Sequence, residues 1–305
     1  MPAKQKRKNL LDPKAISRGE ALGLMARNIV EGYRVGEHRS PFNGFAIEFS
    51  QHREYTAGDD VRHLDWKILG RTDKYYIKQY EQDTNFICTV VMDGSDSMNF
   101  GSGEITKLDY AKVLAACFSY ITLSQRDASA VGVFDSRLSL SLSPTDSLGK
   151  IHTIMQQLSE FEATGETNLR KSLEDVSLTL KGKGIVIVIS DLLDDEEAFQ
   201  KGIERLRFQG HEVIVFHVMD HEELEFSMKG TVKFIGLEGL PTLQTVPADI
   251  RKGYMKALEE FKTKIRRVCE VAGCHYTLAD TSHPVHETLS AYLAFRQRSA
   301  AVRGS

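Results

Sequence analysis

Residues 86–98, FICTVVMDGSDSM, constrain the fold more than any other stretch of the chain. An apolar, β-branched run ends abruptly in Asp93, Ser95 and Ser97, spaced D-x-S-x-S. Val90, Val91 and Met92 are consecutive apolar residues, so a strand through them has both faces to cover, as in a parallel sheet flanked by helices. Gly94 permits a sharp turn directly after the strand. The three oxygen-bearing side chains can then converge at the strand's C-terminal end, where open α/β sheets place their ligands. One carboxylate and two hydroxyls are hard donors that suit Mg²⁺ or Mn²⁺ rather than zinc.

The pattern on either side of this run places it in a larger order. Asp12-Pro13 reads as the cap and first turn of a helix, followed by an apolar stripe through Leu22, Met25, Ala26, Ile29, Val30 and Tyr33. Residues 36–85 are polar, aromatic and turn-rich, which predicts short strands and turns. From residue 86 strands and helices alternate: strands at 86–92, 129–134, 138–142, 185–190, 212–218 and 275–279, with helices at 108–123, 146–160, 168–180, 195–208, 249–272 and 284–297. The segment 221–247 carries several Gly and Pro and reads as a hairpin excursion. The fold class expected is α/β, a doubly wound and mostly parallel sheet, with an N-terminal helix and a small β-rich module. The division expected is a flexible basic tail at 1–12, the helix and module at 13–85, and the sheet domain at 86–298.

With 305 residues the chain can bury a substantial core. A net charge of −3 argues against a dedicated nucleic-acid binder. No apolar run approaches the roughly 20 residues that span a bilayer, so stable membrane insertion is not expected. The basic N-terminus lacks the apolar core of a secretory signal. Cys88 and Cys117 sit in apolar patterns, while Cys269 and Cys274 lack the spacing of a zinc or redox pair. Reduced thiols and a cytoplasmic location follow as expectations.

Two further segments fit the D-x-S-x-S loop. Gly165-Glu166-Thr167-Asn168 precedes a helix, and Ser190-Asp191 ends the run IVIVIS as Asp93 ends FICTVVM. Neighbouring strands would bring Asp93 and Asp191 to one sheet edge with Thr167 nearby. Two carboxylates in a partly dry cleft repel each other, and a divalent ion relieves the repulsion. The set Asp93, Ser95, Ser97, Thr167 and Asp191 resembles the metal-ion-dependent adhesion site of von Willebrand factor type A domains. The segment REYTAGDDVRHLDWKILGRTDKYYIKQYEQD (53–83) resembles the hallmark of the bacterial domain-of-unknown-function family fifty-eight, where it precedes a von Willebrand A-like half.

The resemblance implies that Asp93, Ser95 and Ser97 hold Mg²⁺, that Thr167 contributes directly or through water, and that Asp191 acts through water. A protein partner's Asp or Glu would complete the sphere. It also implies a MoxR-type AAA+ ATPase, or its client, as partner, and an adaptor role in chaperone-like assembly. Two other readings stay open on the residues: a Mg²⁺-dependent phosphohydrolase using Asp93, and a metal-free scaffold in which Asp93, Ser95 and Ser97 only form a capped turn.

Other candidates have simpler readings. Asp59, Asp60, Arg62, Asp65 and Trp66 mix acids with bases, which suggests ion pairs around a packed Trp66 in a structural or interface role. Gly101-Ser102-Gly103 followed by Lys107 lacks the ending of a phosphate loop. His217 lies in an apolar strand and reads as a core residue, and the run Asp194–Glu197 suits the first turn of a helix.

Overall fold

The computed structural model describes residues 13–34, 47–56, 64–72, 74–82, 86–163, 165, 168–236 and 242–303. Helix α1 (Pro13–Arg34) begins at the expected proline; Asp12 lies outside the described residues. Strands β1 (Ile47–Glu54) and β2 (Tyr76–Gln82) pair antiparallel, with helix α2 (Trp66–Thr72) between them. That seven-residue helix stands beside the short strands and turns expected there. Asp65 starts it by accepting from Lys67 N at 2.9 Å and Ile68 N at 3.2 Å, an N-cap worth about 1 kcal/mol. Trp66 differs from expectation: it is 67% exposed rather than packed, while Leu64 and Ile77 beside it are buried. Asp59, Asp60 and Arg62 lie outside the described residues.

The rest of the chain follows the expected alternation. After β3 (Ile87–Asp93) come α3 (Lys107–Ser124), β4 (Ala128–Phe134), β5 (Leu138–Thr145), α4 (Ile151–Glu160), α5 (Leu169–Thr179) and β6 (Gly184–Ser190). Then come α6 (Glu196–Phe208), β7 (Glu212–Met219), α7 (His221–Glu225), β8 (Val232–Phe234), β9 (Leu243–Thr245), α8 (Pro247–Val271), β10 (His275–Asp280) and α9 (Val285–Arg303). Six strands form one sheet in the order β10-β7-β6-β3-β4-β5, parallel except for β5. The short pair β8–β9 is the expected hairpin excursion, and the five-residue α7 before it was not anticipated.

Alternate strand residues feed two cores, one on each face of the sheet. Cys88, Val90 and Met92 of β3 join Ile185, Ile187 and Ile189 of β6 under α1, α3, α4 and α9. Val91, Val186 and Val188 join Leu173, Phe199, Ile203 and Ile265 under α5, α6 and α8. Ala26 and Val30 bring α1 into the first core. This two-sided burial makes β3 and β6 continuous apolar runs rather than alternating ones. The four cysteines are free; Cys88, Cys117 and Cys269 are buried and Cys274 is half-buried. Among the described residues no helix is long and apolar enough to cross a membrane.

Candidate functional site

Parallel pairing of β3 with β6 sets Met92 against Ile189, so Asp93 and Ser190 end adjacent strands side by side. The chain must turn at once after Asp93. Gly94 makes this possible because a Cβ there would lie 2.5 Å from the Phe161 ring and 2.9 Å from Val133 Cγ1. Gly94 N donates to Phe134 O at 2.6 Å, which pins the turn to β4. A 3₁₀ turn, Asp96–Asn99, follows.

This path brings three of the expected residues together. Ser95 N donates to Asp93 Oδ1 at 3.0 Å, and the Ser95 and Ser97 hydroxyl oxygens lie 3.0 Å apart. Asp93 and Ser95 are fully buried and Ser97 nearly so. Ser190 Oγ donates to Asp93 Oδ2 at 2.5 Å. Burial, reinforced by the nearby Asp191 charge, raises the Asp93 carboxyl to about 7 against the pull of its hydrogen bonds.

Asp191 reaches the same end of the sheet, one residue past β6. Its Oδ1 accepts from Leu193 N at 3.2 Å, and its Oδ2 accepts from Lys107 Nζ at 2.8 Å. Thr167 lies outside the described residues. Its neighbours do reach this end: Gly165 O accepts from Asp96 N at 2.9 Å, and Asn168 N donates to Asp135 O at 3.3 Å.

Sequence reasoning missed Glu223 and Asp220, and gave no site role to Lys107 or to the Ser190 hydroxyl. The Lys107 ammonium, only 1% exposed as a side chain, bridges Asp191 and Glu223 Oε1, the latter at 2.9 Å. Burial acts to lower its pKa, but the two carboxylates outweigh that and hold it above the ordinary lysine value. Glu223 Oε2 accepts from Asp220 N at 2.9 Å, closing a capping box on α7. Asp220 in turn accepts from Ser102 N at 2.9 Å and Ser102 Oγ at 2.5 Å. One signal for Lys107 was present in the sequence. It opens α3 directly after the cap Thr106, where a cation opposes the helix dipole and so needs a specific anionic partner.

The donor set is one buried carboxylate, two clustered hydroxyls and a second carboxylate nearby. Among the described residues no three His, Cys, Asp or Glu side chains gather as a metal cluster. The oxygen-only set fits a hard divalent ion that keeps part of its water shell. Of the nearby carboxylates, Asp191 and Glu223 are paired with the Lys107 ammonium.

The family model described as "Protein of unknown function DUF58" matches residues 51–264. The chain belongs to this family. The DUF58 match takes in the hallmark segment at 53–83 together with the strand ends at Asp93 and Asp191. The fold stands as the sequence led one to expect, a doubly wound, mostly parallel α/β sheet. "Uncharacterized protein Rv1480" of Mycobacterium tuberculosis is similar at 21% identity over 303 residues, covering 98% of this chain and 95% of that one. Among solved structures the chain is similar to the conserved hypothetical protein BatB from Bacteroides thetaiotaomicron. The identity there is 15%, the coverage 70% of this chain and 100% of that one, and the TM-score 0.46. It is also similar to the SpRpn10 VWA domain, at 12% identity, with 67% and 94% covered and a TM-score of 0.42.

Proposed function

We propose that this DUF58 chain is a non-enzymatic, Mg²⁺-dependent protein-binding module of the cytoplasm. In this reading Asp93, Ser95 and Ser97 hold the ion, Thr167 contributes directly or through water, and Asp191 acts through water. Mn²⁺ can take the same place. An Asp or Glu of the partner completes the coordination sphere. The partner is a MoxR-type AAA+ ATPase or its client, and the chain serves as adaptor or cofactor in chaperone-like assembly.

The observation that carries the reading is the Asp93–Ser95–Ser97 cluster. A buried carboxylate with two hydroxyls gathered beside it, and a second carboxylate close by, is a set of hard oxygen donors. A phosphohydrolase built on Asp93 would need a cation directed at the phosphate. The Lys107 ammonium is instead committed to Asp191 and Glu223, which favours docking over phosphate chemistry.

The test is a pull-down of the full chain against a MoxR-type AAA+ ATPase encoded beside it, in Mg²⁺, in EDTA and with Asp93→Ala. Capture is expected in Mg²⁺ and lost in the other two conditions. Capture undiminished in both would sink the metal-bridged reading.

A further inference from the structure

Among the described residues Lys107 is the only buried lysine, and its ammonium bridges two carboxylates. Its ammonium ties the end of β6, through Asp191, to α7, through Glu223. Beyond these partners the network continues. Tyr254 on α8 donates from its hydroxyl to Glu223 O at 2.9 Å, and Asp220 takes two hydrogen bonds from Ser102, in the loop that follows the D-x-S-x-S turn. A single positive charge thus joins α3, β6 and α7 around the strand end that carries Asp93.

We infer that Lys107 is a resident cation: it holds the metal-free centre together and keeps the centre's affinity for Mg²⁺ low until a partner's carboxylate arrives. The inference rests on the metal-dependent docking proposed above. Its physical basis is Coulombic. Without a metal, the ammonium neutralises part of the charge of Asp191 and Glu223, which would otherwise repel each other in a dry site. A divalent ion entering beside Asp93 meets the field of that ammonium, which works against it. A partner's carboxylate brings a negative charge that offsets the ammonium, so metal and partner bind more tightly together than either does alone. Lys107 touches neither in this scheme; it is a positioning residue that sets the threshold.

The test uses the full chain and two variants, Lys107→Met and Glu223→Gln, without any partner. Thermal melting is read in EDTA and in MgCl₂, and Mn²⁺ affinity is read by calorimetry. Lys107→Met is expected to melt below the parent in EDTA, to gain more from Mg²⁺ than the parent does, and to bind Mn²⁺ about tenfold more tightly or better. A lysine with a purely packing role would leave the metal-dependent gain unchanged. Glu223→Gln keeps the ammonium but removes one acid, so it is expected to bind Mn²⁺ more weakly than the parent, and it serves as the reporter where Lys107→Met does not fold. Metal binding by the parent that is unchanged or weakened in Lys107→Met, or unchanged in Glu223→Gln, would overturn the role of Lys107 alone. Absence of Mg²⁺ and Mn²⁺ binding in every protein would overturn the metal reading and this inference with it.

Discussion

Ser190 Oγ donates a 2.5 Å hydrogen bond to Asp93 Oδ2 across the parallel pair of β3 and β6. The same oxygen accepts from Leu192 N at 2.9 Å, and Leu192 holds a left-handed φ of 56°. One hydroxyl therefore fixes the orientation of the Asp93 carboxylate and anchors a turn that a branched side chain adopts only under constraint. Ser190→Ala removes both bonds and leaves a buried acceptor and a buried N–H short of a partner, at a cost of about 1–3 kcal/mol. The urea midpoint is expected to fall with the slope unchanged. A shift within error would mean that the hydroxyl does not hold the strand end.

Gly94 occupies a position with no room for a side chain, since an added Cβ would meet the Phe161 ring at 2.5 Å. The half-buried Phe161 ring and Val133 Cγ1, 2.9 Å from the added Cβ, would both have to shift, so Gly94→Ala is expected to cost about 1–3 kcal/mol through overpacking. Phe161→Leu opens space at the same place. In a double-mutant cycle the second change should offset part of the first, because residues in contact do not behave additively. Strict additivity of the two losses would show that strain at Gly94 arises elsewhere.

The sheet was legible because its strands are buried on two sides. Runs such as IVIVIS read as strands covered on both faces, and the helices between them carry their own stripes, which together give an α/β alternation. Helices α2 and α7, of seven and five residues, are too short to show a stripe. Their only marks are the caps Asp65 and Asp220. Asp93, Ser95 and Ser97 were legible because they are local to one strand end. Lys107 was not, because its partners lie 84 and 116 residues away and only the tertiary fold joins them. The exposed Trp66 marks the opposite failure, where residue type alone suggested packing that the fold does not provide.

Asp194 illustrates how the acidic run 194–197 is used. Its Oδ2 accepts from Leu169 N at 2.6 Å, at the start of α5, while Asp195 caps α6 through Glu197 N at 3.2 Å. One residue of the run thus satisfies a helix other than the one it precedes. Asp194→Ala is expected to cost about 1 kcal/mol, and Asp194→Asn less, since an amide oxygen still accepts. Hydrogen exchange should speed at Leu169 in the alanine variant. Unchanged exchange there would show that the bond does not hold the start of α5.

His217 supplies a pH dependence whose sign can be worked out. It is fully buried in β7, and its Nδ1 lies 2.8 Å from the Tyr276 hydroxyl. Burial lowers its pKa from 6.5 to about 4, partly opposed by Asp191. Between those values the unfolded chain binds a proton that the folded chain refuses, so stability rises with pH. The contribution is complete above pH 6.5 and is lost as pH falls toward 4, a change of about 3 kcal/mol at 1.36 kcal/mol per unit. Asp93, raised to about 7, pulls the other way: the folded chain binds the extra proton, and stability from that group is lost as pH rises. The two slopes overlap, so the parent's curve alone does not separate them. His217→Phe keeps the aromatic volume beside Phe261 and removes the titration. Its stability relative to the parent should therefore improve steadily as pH drops from 6.5 to 4, whatever the level at neutral pH. A difference curve that stays flat across that range would show that His217 titrates alike in the folded and unfolded chains.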